Sequence, residues 1–368
     1  MNKSKAIAVL LVLAAGAARA EPSSVTIYGV IDEYVNWMHS SSGNHVLALE
    51  DGAYLRTRLG FKGAEDLGGG YTARFQLEGG INADNGTQAT AGSLFDRQSW
   101  LGLGTPVGEF RAGRQNGPIQ SRGAYIDFTA RDLGSMINNF GVPSRYDNDV
   151  SYISARWSGL QLEGHVALPE SPVGNHPIVY QLGVDWQNDS YRVGYLGLRG
   201  RPPTDAQINE DVVYDNVYAN WMYGKGTVYV AWVRSNNNTS TSASNNAGTL
   251  LPNTGGYNAG NNADLHNFYD VWQVSADWQV TDFLRLGALW GRIEDQSGRD
   301  RGASGGAVGA YYDLSKRTML LALVDTVRNQ ADGGWRPAGS AGLKSNFTGG
   351  DANGRTITGV QFGVVHRF

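Results

Sequence analysis

From Tyr180 onwards, hydrophobic and polar positions take turns along the chain: Tyr180, Leu182, Val184 and Trp186 share one face, while Gln181, Gly183, Asp185 and Gln187 share the other. Leu160 to Val166, Tyr191 to Tyr195, Val217 to Tyr223 and Trp272 to Trp278 repeat the pattern. A period of two is that of a β-strand with one apolar and one wet face. The connections alternate as well. Short turns are expected near 66–69, 105–108, 158–159, 188–190, 224–226, 281–282 and 314–316. Long connections are expected at about 39–52, 82–93, 115–149, 169–178, 200–212, 235–266, 294–303 and 328–353. Seven short and eight long connections predict an all-β fold, a transmembrane antiparallel β-barrel of about sixteen strands. Closure would remove the sheet edges that such a set otherwise exposes.

One stretch breaks the rhythm. Gln115 to Asp149 has no two-residue alternation, yet carries Ile119, Tyr125, Ile126, Phe128, Leu133, Met136, Ile137, Phe140 and Val142. Irregular connections this long are uncommon unless functional or disordered, and so much apolar surface argues against a floating loop. It is expected to fold inward (115–149), inside the hollow that the strands enclose. Thr227 to Val233 and Thr318 to Val324 are apolar on both faces, as strands meeting that loop or a neighbouring subunit would be. Val25 to Trp37 must put either Asp32 or Glu33 outward.

Composition changes the picture in three ways. Residues 1–20 read as an export signal, with Lys3 and Lys5, an apolar run from Ala6 to Ala15, and Ala18-Arg19-Ala20 before the expected cleavage after Ala20. The remaining 21–368 form one expected domain, whose charge is the −4 of the whole chain less the +3 of Lys3, Lys5 and Arg19, or −7. That gives no reason to expect a nucleic-acid partner. There is no cysteine, which excludes disulfides and thiolate chemistry. Fifty glycines and eighteen tyrosines beside eleven prolines favour strands and tight turns. Trp157, Trp186, Tyr191, Tyr223, Trp278, Phe283, Tyr311 and Tyr312 flank the turns, as an interfacial aromatic girdle would.

The charges fix which face is which. In YLRTRLGFKG, Leu55, Thr57, Leu59 and Phe61 oppose Arg56, Arg58 and Lys62. A cation at the bilayer midplane costs about 2–4 kcal/mol, so Arg56, Arg58 and Lys62 are assigned to the interior, with Arg74, Glu78, Arg97 and Arg285 by the same reasoning. A barrel of this size is too wide to be filled by side chains and should hold water.

SSVTIYGVID, LRTRLGFKGAEDLGGGYTARFQLEGG, LFDRQSWLGLG, GEFRAGRQ and the ending GVQFGVVHRF together resemble the trimeric general porins of Gram-negative outer membranes, particularly the beta-proteobacterial type. The resemblance implies a homotrimer of sixteen-stranded barrels in outer-membrane lipid, with the third long loop narrowing the lumen against wall arginines. It places Arg58, Arg97 and Arg145 at that constriction, opposite Asp127 and Asp132. It also implies that Phe368 serves as a signal read by the outer-membrane assembly machinery.

The function expected is passive diffusion of small hydrophilic solutes and ions, with a weak anion preference from the arginine cluster and no cofactor. Alternatives are a channel selective for organic anions or sugars, a barrel hydrolase using His165 with Glu163, and a soluble exported binding protein. Hydrolysis would need a nucleophile or activated water beside His165. The turn GLGTPVG lacks the spacing and lysine of a phosphate loop, and no metal-ligand cluster is visible.

Overall fold

A computed structural model describes residues 24–169, 178–201, 211–236, 268–340, 343 and 345–368. The export segment and most of the connections 169–178, 200–212 and 235–266 lie outside them. Sixteen antiparallel strands close on themselves. They are β1 (Ser24–Ser40), β2 (His45–Asp51 and Arg58–Gly68), β3 (Tyr71–Asn82), β4 (Gln98–Thr105), β5 (Gly108–Asn116), β6 (Arg145–Ser154), β7 (Leu160–Ala167) and β8 (Ile178–Gln187). There follow β9 (Tyr191–Arg201), β10 (Val212–Met222), β11 (Thr227–Ser235), β12 (Tyr269–Gln279), β13 (Leu284–Asp295), β14 (Ala303–Asp313), β15 (Thr318–Asn329) and β16 (Thr356–Arg367). The seam is made by β1 on β16, from Val30 opposite Arg367 to Ser40 opposite Ile357. Gly29 and Phe368 finish it with reciprocal backbone hydrogen bonds of 3.1 Å.

Strand periodicity places its side chains as expected. Leu182, Val193, Val230, Val274, Leu286 and Val324 are exposed on the outer face. Trp157, Trp186, Tyr191, Tyr223, Trp278, Phe283 and Tyr312 ring the short-turn rim. Tyr311 does not join them: it is buried inside the barrel. A second aromatic row, Trp37, Trp272 and Trp290, lies outward near the long-loop ends of β1, β12 and β13.

Two departures come from β2. The long connection expected at 39–52 is only the turn 41–44, because His45–Asp51 pairs back along β1. The irregular stretch is instead 52–57, which leaves the wall and turns inward. Asp32 causes this: its carboxylate accepts from the N–H groups of Tyr54 (2.8 Å) and Leu55 (2.6 Å), while its own N–H donates to the Thr57 hydroxyl (3.0 Å). Leu55 and Thr57 therefore face no lipid, and Thr57 is buried. Of the acidic pair in β1, Asp32 points inward and Glu33 outward.

The apolar core lies inside the barrel and to one side. The inner loop, 117–144, crosses the lumen and buries Ile119, Ile126, Phe128, Leu133, Met136, Ile137 and Phe140 against the inner faces of the later strands. This explains the doubly apolar strands: Ala231 and Val233 of β11, and Met319, Leu321 and Leu323 of β15, turn inward onto the loop. Glycines make room for it. A Cβ on Gly287 would lie 2.1 Å from the Phe128 ring, and one on Gly291 would lie 2.8 Å from Met136 Cβ.

The last long connection also turns inward. Trp335 is buried, stacks on Phe140 at 5.5 Å and donates its indole N–H to the Arg301 carbonyl at 2.6 Å. Ala338 and Asn138–Asn139 exchange hydrogen bonds of 2.6 and 2.9 Å, and the Ser340 hydroxyl donates to the Gly52 carbonyl at 3.0 Å. The core thus fills one half of the cross-section. The part along β2–β7 stays open.

Candidate pore constriction

The open half narrows to a polar space of about 530 Å³ between the inner loop, the 52–57 turn, the 338–340 segment and the wall. Five arginines line it, Arg56, Arg58, Arg97, Arg131 and Arg145, against two aspartates, Asp96 and Asp132. The three wall arginines expected there are brought together. β2 supplies Arg58, the residue before β4 supplies Arg97, and Arg145 begins β6.

Their charges are not equally free. Glu78 of β3 takes both Arg97 (2.6 Å) and Arg58 (3.3 Å), and accepts from the Tyr28 hydroxyl at 2.9 Å. Arg56 reaches Asp51 at 3.5 Å and Asn82 at 2.7 Å. Arg145 has no ion pair among the described residues, and its Nε has no hydrogen-bond partner. Lys62 and Arg74 face the lumen below, Lys62 5.2 Å from the Tyr28 ring and Arg74 on Glu109 at 3.2 Å. A second polar space of about 380 Å³ continues downward past Gln76, Arg111, Gln161 and Glu163.

Of the two loop acids expected there, only Asp132 lines the space. Asp127 is buried and faces away from water. One oxygen accepts from the Thr129 N–H (2.9 Å), the Thr129 hydroxyl (2.6 Å) and the Arg131 N–H (3.0 Å), and the other from Gln273 of β12 (2.7 Å). Its carboxylate is consumed in holding a tight turn whose Ala130 and Arg131 take φ of 60° and 59°, a region costly for residues with a side chain. Asp132 does reach the cavity, but only about a twelfth of it is exposed, at 8 %. Burial, then the neighbouring Asp32, pushes its carboxyl well above the usual range, against the opposing pull of Arg131. Arg131 is a staple within the loop, its guanidinium donating to the Ile119 carbonyl and, at 3.0 Å, to the Gln120 side chain.

Two further expected residues have different duties. Arg285 faces inward but is covered by the loop, donating to the Phe128 carbonyl and to Asp277, both at 3.1 Å. His165 is buried rather than lining open water: Nδ1 lies 2.6 Å from Asp149 and Nε2 2.8 Å from Glu163, so both ring nitrogens are occupied. Sequence reasoning missed Arg122. This inner-loop arginine bridges Glu163 and Asp185 (2.9 Å) and fastens the start of the loop to β7 and β8. Acceptors on both strands hold its proton more firmly than usual despite burial.

A closed sixteen-stranded barrel with an apolar outer belt and a charged, loop-narrowed interior defines a transmembrane channel of the porin class. The chain belongs to the Gram-negative porin family, whose model matches residues 6–332. It is 26% identical to outer membrane porin protein 32 of Delftia acidovorans over 382 residues, covering 99% of both chains. Major outer membrane protein P.IB of Neisseria meningitidis is 27% identical over 328 residues, covering 87% of this chain and 91% of that one. Among solved structures, the anion-selective porin from Comamonas acidovorans superposes with a TM-score of 0.73 at 21% identity, covering 94% of this chain and 100% of that one. The protein is therefore an outer-membrane porin.

Proposed function

We propose that the barrel conducts small hydrophilic solutes and ions passively with a preference for anions, and catalyses nothing. The observation that carries this is the lining of five arginines against two aspartates, with both aspartates, and Arg56 and Arg131 among the arginines, largely covered. A narrow passage of one sign favours the opposite ion. The overall charge of −4 has the other sign, but charges on the outer loops are screened beyond about 8 Å at physiological salt. Arg58, Arg97 and Arg145 are the wall side of the constriction, and Asp132 is the inner loop's own acid there. Reversal potentials across a planar bilayer in a salt gradient test this; a cation-selective potential would refute it.

The same reading makes the chain a homotrimer, with residues 1–20 removed after Ala20 and Phe368 offered to the assembly machinery. Outward Glu33 supports the trimer. A carboxylate between Ile31 and Val35 on the outer face of β1 is poorly suited to lipid and well suited to a protein neighbour. Catalysis at His165 has no support in the geometry, since neither ring nitrogen is free to act as a base.

A further inference from the structure

The outer face of β11–β15 carries a line of residues in register across five strands. Trp232 lies opposite Trp272, Trp272 opposite Arg292, Arg292 opposite Ser304, and Ser304 opposite Arg328. Two arginines therefore stand one strand apart, about 10 Å, with a serine between them. Below this line the outward residues are uncharged until the short-turn rim: Val230, Val274, Leu286, Ala288, Val308 and Val324. The arginines sit at the long-loop ends of β13 and β15, directly above the outward Trp290. Short turns face the periplasm and long loops the exterior, so this level is the headgroup layer of the outer leaflet.

The surface there is hollowed. A groove of about 230 Å³ is lined by Trp290, Arg292, Ser304, Arg328 and Gln330. Arg292 leans on Glu294 at 3.3 Å with half its side chain exposed, and Arg328 is exposed with no ion pair among the described residues. Arginine pairs grip phosphate oxygens through several N–H donors, and a basic pocket between spanning segments at headgroup depth is a lipid-headgroup site.

We propose that this groove binds a phosphate of the outer-leaflet glycolipid between Arg292 and Arg328, with Ser304 as a third donor and the acyl chains lying along Trp290 and the aliphatic face beneath. The trimer contact that Glu33 argues for is on β1, so this face is left to lipid.

The test uses the purified porin in a zwitterionic detergent. Its heat-unfolding midpoint is followed by gel mobility with phosphorylated lipid A, with the same lipid stripped of phosphate, or with inorganic phosphate. Phosphorylated lipid A should raise the midpoint, and the Arg292→Gln/Arg328→Gln double variant should lose at least half of that gain. Arg317→Gln, at the opposite rim, should keep it all. Conductance unchanged in the double variant would verify folding. An equal gain in the double variant, or an equal gain from inorganic phosphate alone, would overturn the proposal. So would loss of the oligomer in the double variant without added lipid, which would make the groove a subunit contact.

Discussion

Arg145 and Arg97 stand on the same wall and differ in what faces them. Arg97 is held at 2.6 Å by Glu78, while Arg145 makes no ion pair among the described residues. Removing an unpaired unit charge about 10 Å from a permeating ion in water changes its energy by about 0.4 kcal/mol, or about twofold in permeability. The shift is opposite in sign for an anion and a cation, so Arg145→Ala should reduce the anion-to-cation permeability ratio about fourfold, and Arg97→Ala by less. Glu78→Gln should raise the ratio, since it frees two guanidinium groups at once. Reversal potentials in a salt gradient measure all three, and a fall in Glu78→Gln would contradict the assignment. Asp132 adds a pH dependence. Its raised carboxyl keeps a proton above the ordinary range near 4, so the folded state binds more protons than the unfolded one there. The contribution of Asp132 to stability, and the anion preference, should then be greatest at low pH. They should fall as pH rises through the shifted value, when a negative charge appears beside Asp32, Asp127 and Arg131 in the constriction. Asp132→Asn should flatten both profiles; a variant that keeps the wild-type slope would assign the titration elsewhere.

At the scale of elements, the inner loop is anchored by a trough of wall glycines and by Arg122, and the features of this region differ in how visible they are in the chain. Its existence and near limits were legible: 115–149 was expected from lost alternation, and Asn116 ends β5 and Arg145 begins β6. The receptor surface was not. Gly287, Gly291 and Gly305 look like ordinary strand glycines until Phe128 and Met136 are seen lying over them, in a contact spanning more than 150 residues. The inward turn at 52–57 was equally hidden, because YLRTRLGFKG alternates perfectly and only Asp32, twenty-two residues earlier, diverts it. Asp127 was misassigned because composition cannot tell an acid facing water from one capping its own turn. Gly287→Val should push Phe128 off the wall and loosen the loop, giving larger and noisier single-channel currents while the barrel still folds. Arg122→Ala should act at the loop's other anchor. Leaving Glu163 and Asp185 without their shared arginine costs about 3 kcal/mol, less whatever Arg156 and His165 recover, and should appear as more frequent closures and as protease cleavage within 117–144. A loop as quiet and as resistant as wild type would show that the glycine trough alone suffices.

For the molecule as a whole, the interior and exterior of the barrel set different demands, and the outer surface is not uniform. Around β11–β15 the belt is uncharged between its two rims, as a lipid-facing surface requires, whereas β1 presents Glu33 between Ile31 and Val35, opposite Val364 of β16. Even an acid, less costly in lipid than arginine or lysine, has no compensation at that depth unless another protein covers it. The chain has no cysteine, so single cysteines can report each face without background. In the intact assembly, Glu33→Cys should resist a bilayer-soluble maleimide, and Val230→Cys on β11 should react readily. After dissociation into monomers both should react. If Glu33→Cys labels as fast as Val230→Cys in the native assembly, the β1 face meets lipid and the trimer contact must be sought elsewhere on the barrel.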